Sequence, residues 1–163
     1  MRSRKLQFAA LAVTLAVALL AVACGDSSDS SAPSSASGDV EVLAPGDFSV
    51  ADHAGKPLVV NFFGSWCGPC KAEAPALAEF AAAHPEVQFV GIAVNDSEDA
   101  AVGFMKEYGL SHRTVIDDGS LGSSWGVSGV PTTIFINSDG QEADRIVGAA
   151  GREQFEESLE KAQ

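Results

Sequence analysis

Apolar positions fall into separate runs along the chain, and each run has its own spacing. The first, Leu6 to Ala23, carries no charge, follows Arg2, Arg4 and Lys5, and closes on the small residues Ala21, Val22 and Ala23. A short apolar run between a basic start and a small-residue end has the layout of a secretory signal peptide, expected over residues 1–23. The pattern then vanishes. Gly25 to Gly38 reads GDSSDSSAPSSASG, too polar to bury enough surface to offset its ordering entropy, so a disordered linker is expected over residues 24–38. At about 3.3 Å per residue this stretch reaches roughly 45 Å, enough to act as a tether.

From Asp39 to the end at Gln163 the pattern is that of one folded domain. Val40 to Leu43 and Phe48 to Val50 are short apolar or alternating pieces around Pro45 and Gly46, expected to form a preliminary strand pair. Leu58 to Phe63 (LVVNFF) is nearly continuous, as a central buried strand is. Pro69 to Ala83 has apolar residues at helical spacing and ends at Pro85; Pro75 inside it predicts a kink. Val87 to Val94 reads as a second buried strand. Asp96 or Ser97 is placed to cap a helix running through Tyr108, with Glu98 and Asp99 suiting its positive end. Thr114 to Ile116 predicts a short strand and Ser120 to Trp125 one helical turn. Thr132 to Ile136 is a strand, Asn137 to Gly140 (NSDG) a hairpin turn and Ala143 to Val147 its return. Arg152 to Lys161 is an amphipathic helix with Phe155 and Leu159 inward. Strand, helix, strand, helix, hairpin, helix defines an α/β domain, a central mixed β-sheet flanked by helices on both faces.

Charge narrows the partners. The chain has 22 acidic residues against ten basic ones, a net charge of −12. Three of the basic residues sit in the leader, so its removal would leave −15. Nucleic acid and anionic membrane surfaces would repel such a domain. Cysteine supplies the chemistry. Trp66-Cys67-Gly68-Pro69-Cys70 stands between a buried strand and a helix. There a thiol meets unpaired backbone N–H groups and the positive end of the helix dipole, and both favour the thiolate. The two-residue gap brings Cys70 one turn along, close enough to form a disulfide with Cys67. Pro69 lacks only an N–H that the helix start does not use. Cys67, at the loop end, is expected to attack a substrate disulfide and Cys70 to resolve the mixed disulfide. A stapling disulfide across so short a loop would stabilise little. A zinc site would need a second ligand pair, and His53, His84 and His112 lack ligand spacing. No metal or added cofactor is expected beyond the redox-active disulfide itself.

At these residues the sequence resembles the thioredoxin superfamily, and within it the membrane-anchored extracytoplasmic branch typified by TlpA, ResA and DsbE (CcmG). The resemblance runs from about Phe48 to Lys161. It is carried by WCGPC after VVNFFGS, by Lys71-Ala72-Glu73-Ala74-Pro75, by the long region from Asp96 to Trp125, and by Gly126 to Thr132 (GVSGVPT). It implies a thioredoxin fold with a TlpA-like insertion. It also implies a cis bond before Pro131, with the Val130 backbone pairing with a bound substrate segment. Trp66, Gly68, Pro69, Val130 and Pro131 would then line the substrate site. Asn61 departs from the superfamily: cytoplasmic thioredoxins carry Asp there, beside the second Cys. Glu73, three residues after Cys70, is assigned the matching acid's role in tuning the pair and relaying protons; the alternative is a solvated helix-end charge.

Cys24 ends a small-residue stretch that resembles a bacterial lipobox, although Ala21 stands where Leu is usual. Lipid attachment at Cys24 would anchor the domain to the outer face of the cell membrane. A plain signal peptide with a spare thiol, or an uncleaved anchor, is the alternative. The resemblance further implies disulfide reduction, including that of apocytochrome c during cytochrome c biogenesis, with electrons from a membrane thiol reductant of the DsbD or CcdA type. A disulfide-donating oxidant, and a non-catalytic binding lipoprotein that keeps the fold, are the competing readings. A copper chaperone would have wider Cys spacing and a His ligand, and a peroxidase a Thr-x-x-Cys site.

Overall fold

The computed structural model describes residues 39–163; the leader, Cys24 and the Ser-rich stretch lie outside the described residues. Six strands form one sheet: β1 (Val42–Leu43), β2 (Leu58–Phe63), β3 (Gln88–Val94), β4 (Arg113–Asp117), β5 (Thr132–Ile136) and β6 (Glu142–Val147). Their order is β1-β4-β3-β2-β5-β6. The first four run parallel, β5 is antiparallel to β2, and β6 is antiparallel to β5. The helices are α1 (Gly68–Ala83), α2 (Glu98–Glu107), α3 (Ser120–Ser124) and α4 (Arg152–Ala162). This is the mixed sheet with flanking helices that the pattern predicts. The region from Asp96 to Trp125 supplies α2, β4 and α3.

β2 is buried at every position because it is the sheet's middle. Its side chains alternate between two cores. Val59 and Phe63 face α1, α2 and α4, where Leu77, Phe80, Phe104 and Phe155 meet them. Leu58, Val60 and Phe62 face the other side, under Phe48, Leu121 and Trp125. Each fully buried aromatic, such as Phe80 and Phe155 whose rings stack 5.4 Å apart, contributes roughly 2 kcal/mol through removal from water. The three longer helices thus share one face, and short elements close the other.

The expected strand pair at the domain start does not form. Only Val42–Leu43 is a strand, and it pairs with β4 rather than with a neighbour in sequence. Pro45–Asp47 and Val50–His53 are 3₁₀ turns instead. Pro45 cannot donate to a ladder, and the Ser49 hydroxyl accepts from Ala51 N at 3.2 Å, closing the second turn locally. Phe48 becomes a plug over the lower core, 6.1 Å from the Trp125 ring. α1 runs unbroken through Pro75, which leaves the Lys71 carbonyl without its usual helical donor.

Candidate active site

The site forms where β2 ends and α1 begins. Gly64 to Cys67 make a tight turn, closed by Cys67 N–H donating to Gly64 O at 3.0 Å. Cys67 is the N-cap of α1 and Pro69 its second residue, so the chain enters the helix with its first amides unpaired. Cys67 and Cys70 are joined in a disulfide, with 5.3 Å between their Cα atoms. Cys70 N–H also points at Cys67 Sγ, 3.1 Å away. No acid lies in the first turn of α1. Donor amides and the helix dipole favour a thiolate at Cys67 once the bond opens.

Exposure separates the two cysteines less than the sequence suggests. Cys67 is 4% exposed and Cys70 1%. Their difference lies in surroundings. Cys67 Sγ sits 3.6 Å from the carbonyl of Val130, which with Trp66, Val94, Asn95 and Val127 lines a cleft of about 240 Å³. Cys70 faces the core. Gly68 and Pro69 are exposed beside the disulfide, Pro131 is buried, and the Val130–Pro131 bond is cis. Trp66 is 58% exposed; Val147, paired with Thr132 just after Pro131, is 72% exposed. These two are the large apolar side chains most open to solvent among the described residues, and both rim the same end of the sheet.

Glu73 is not a solvated helix-end charge. It is 2% exposed, one turn beyond Cys70. Asn61 Nδ2 donates to its Oε1 at 2.9 Å and Ala150 N donates to its Oε2 at 3.1 Å. Asn61 Nδ2 also donates to Thr133 Oγ1 at 2.9 Å. Burial pushes the Glu73 carboxyl from the ordinary 4.5 up to about 7; the bonds from Asn61 and Ala150 pull the other way and only partly offset it. The group is therefore poised to change its proton near neutrality. Asn61 is more than a missing acid, for its amide holds the Glu73 carboxylate in place.

The structure thus brings Trp66, Cys67, Gly68, Pro69, Cys70, Val130 and Pro131 to one edge, with Glu73 beneath. Sequence reasoning missed Ala150, Ser65 and Asp96, whose parts in the site depend on contacts between distant segments.

A thioredoxin-like sheet with a dithiol motif at the start of its first long helix defines the class. The Redoxin family model matches residues 28–162, and the chain belongs to that family. It is 35% identical over 131 residues to the thiol:disulfide interchange protein DsbE homolog of Paracoccus denitrificans, covering 75% of this chain and 72% of that one. It is 33% identical over 113 residues to the thiol-disulfide oxidoreductase ResA of Bacillus thuringiensis, covering 68% of this chain. The chain spans 65% of that relative's length, just under two thirds. Among solved structures, a secreted Mycobacterium tuberculosis disulfide oxidoreductase homologous to Escherichia coli DsbE superposes with a TM-score of 0.64 at 32% identity. That match covers 69% of this chain and 87% of the other.

Proposed function

We propose that this chain is an extracytoplasmic thiol–disulfide oxidoreductase that reduces protein disulfides through Cys67 and Cys70. The observation that carries the reading is the Cys67–Cys70 disulfide at the N-cap of α1, with a buried, near-neutral carboxyl at Glu73 one turn below. The names of the ResA and DsbE relatives support it.

In the cycle, the Cys67 thiolate attacks one sulfur of a substrate disulfide. The substrate S–S bond breaks, a mixed disulfide forms, and the other substrate sulfur leaves as a thiolate that takes a proton from solvent. Cys70 then gives up its proton, with Glu73 as the nearby acceptor, and attacks Cys67 Sγ. The mixed disulfide breaks and the second substrate thiol is released. Two electrons have passed from the dithiol to the substrate, and the protein holds the Cys67–Cys70 bond. Trp66, Gly68, Pro69 and Val130 receive the substrate segment around the sulfur. A membrane thiol reductant of the DsbD or CcdA type would restore the dithiol, and apocytochrome c is one substrate of suitable chemistry. Lipid attachment at Cys24 would keep the domain at the outer membrane face; mass spectrometry of membrane fractions should find a diacylated N-terminal Cys24.

Equilibration with glutathione buffers tests the direction. A potential near that of thioredoxin, about −270 mV, supports the reductant; one near about −120 mV, as in DsbA, makes the protein a disulfide donor instead.

A further inference from the structure

The turn that presents Cys67 is held from outside, by the end of β3. Its second residue is Ser65. Ser65 N–H donates to Asp96 Oδ2 at 2.6 Å, and the Ser65 hydroxyl donates to Asp96 Oδ1 at 2.8 Å. The carboxylate is itself oriented by Ser97 N–H, which donates to Oδ1 at 3.0 Å. The turn's third residue is Trp66, whose indole Nε1–H donates to the Val94 carbonyl at 3.1 Å. The first residue, Gly64, lies flat under that ring: a Cβ there would stand 2.7 Å from two of its atoms. Two of the four corners, Ser65 and Trp66, are therefore pinned to one short segment, Val94 to Asp96, and Gly64 lies against the ring of one of them. The fourth corner is Cys67.

Asp96 is not needed as the helix cap its sequence position suggests. Ser97 is the N-cap of α2, its Oγ accepting from Ala100 N at 3.3 Å. Beyond the bond it accepts from Ser97 N–H, the Asp96 side chain grips one residue of the active-site turn by both backbone and side chain. Such bonds to an ionised acceptor are about twice as strong as neutral ones and fix two directions at once. Ser65 is only half-buried and Trp66 is mostly exposed, so little apolar packing would otherwise hold this corner.

We propose that Asp96 is a positioning residue for thiol–disulfide exchange: its strap on Ser65, with the Trp66–Val94 bond, sets the Trp66 ring and the Cys67 sulfur against the cleft that receives the reacting segment. The proposal rests on the oxidoreductase reading above. The strap acts on docking rather than on sulfur chemistry. A substrate that must lie in the cleft depends on it heavily, and a disulfide too small to use the cleft depends on it less.

Two substitutions grade the strap. Asp96→Asn leaves one acceptor oxygen for the N–H groups of Ser65 and Ser97, so one of those bonds is lost and the charge that strengthens the others goes with it; Ser65→Ala removes only the hydroxyl bond. Single-turnover exchange by the reduced protein is measured on a disulfide-bonded peptide and on hydroxyethyl disulfide. The Trp66 indole resonance, assigned by its loss in Trp66→Phe, reports the ring. Asp96→Asn should slow the peptide about tenfold, well within the hundredfold that a misplacement of about 1 Å can cost. It should slow the small disulfide much less and move the indole resonance. Ser65→Ala should do the same to a smaller degree, and carries the test alone if Asp96→Asn does not fold. Equal slowing of both disulfides would overturn the proposal in favour of an effect on the thiolate. Unchanged peptide exchange in the folded variants would overturn it outright. A wild-type protein inert toward both disulfides would instead sink the oxidoreductase reading.

Discussion

On the inner flank of the cysteine pair, a carboxylate is buried against two donors, Asn61 and Ala150, and its proton is held to near neutrality. On the outer flank, a half-buried carboxylate, Asp96, accepts from three donors and grips a turn. Removal from water governs the first, and geometry governs the second. The difference teaches that two acids flanking one dithiol motif need not share a task. Burial makes a carboxyl a proton store; dense donation at the surface makes it a clamp.

The largest effects should come from the sulfurs between the flanks. Cys67→Ser should abolish exchange, while Cys70→Ser should accumulate mixed disulfides that survive non-reducing gels. Trapping by the Cys67 variant instead would reverse the assigned roles. Next comes the inner flank. Glu73→Gln should slow resolution by about a hundredfold, the usual scale of a lost proton-transfer partner, and flatten the pH profile of thiol alkylation. Superimposable alkylation curves would leave Glu73 a structural group only. Asn61→Asp placed in that variant should recover part of the rate by supplying another carboxylate.

A third effect is thermodynamic. The folded carboxyl of Glu73 titrates near 7, above the ordinary 4.5. Its contribution to stability is complete below pH 4.5 and is lost as pH rises to about 7, where only the unfolded chain gains by releasing the proton. The loss amounts to about 3 kcal/mol. Urea unfolding of the oxidised protein across that range should show this fall, and Glu73→Gln should lack it, since other titrating groups are common to both. The smallest expected effect lies one bond further out. Thr133→Val removes the second acceptor of Asn61 and should cost about 1 kcal/mol, with exchange nearly intact.

The elements that form the site were readable in the chain because each satisfies itself locally. LVVNFF is apolar on both faces but for Asn61 and becomes the sheet's middle strand; WCGPC at its end marks the helix start. NSDG, with Asn137 Oδ1 accepting from Asp139 N and Gln141 N, closes its own hairpin. The N-terminal strand pair is absent since Phe48 to Val50 is apolar for another reason, plugging the face beneath Trp125. Asn61 was legible as a departure from its superfamily, yet its role was hidden, as an amide declares its partner only in space. Asp96 shows the same limit more sharply. Its spacing suits a helix cap, and nothing local marks Ser65, 31 positions earlier, as its partner.

The flat seat of the Trp66 ring on Gly64 also bears on how such a sequence can drift. Gly64 has no left-handed φ to preserve, so the exclusion of a side chain there is spatial and set by one neighbour. Gly64→Ala alone should dislodge the indole, and Trp66→Ser alone should leave the seat empty. Together they should restore a tolerated surface while forfeiting the apolar rim. A side chain at position 64 is therefore expected to be tolerated only where Trp66 is gone, a one-way dependence that a deep mutational scan of double variants would detect as epistasis.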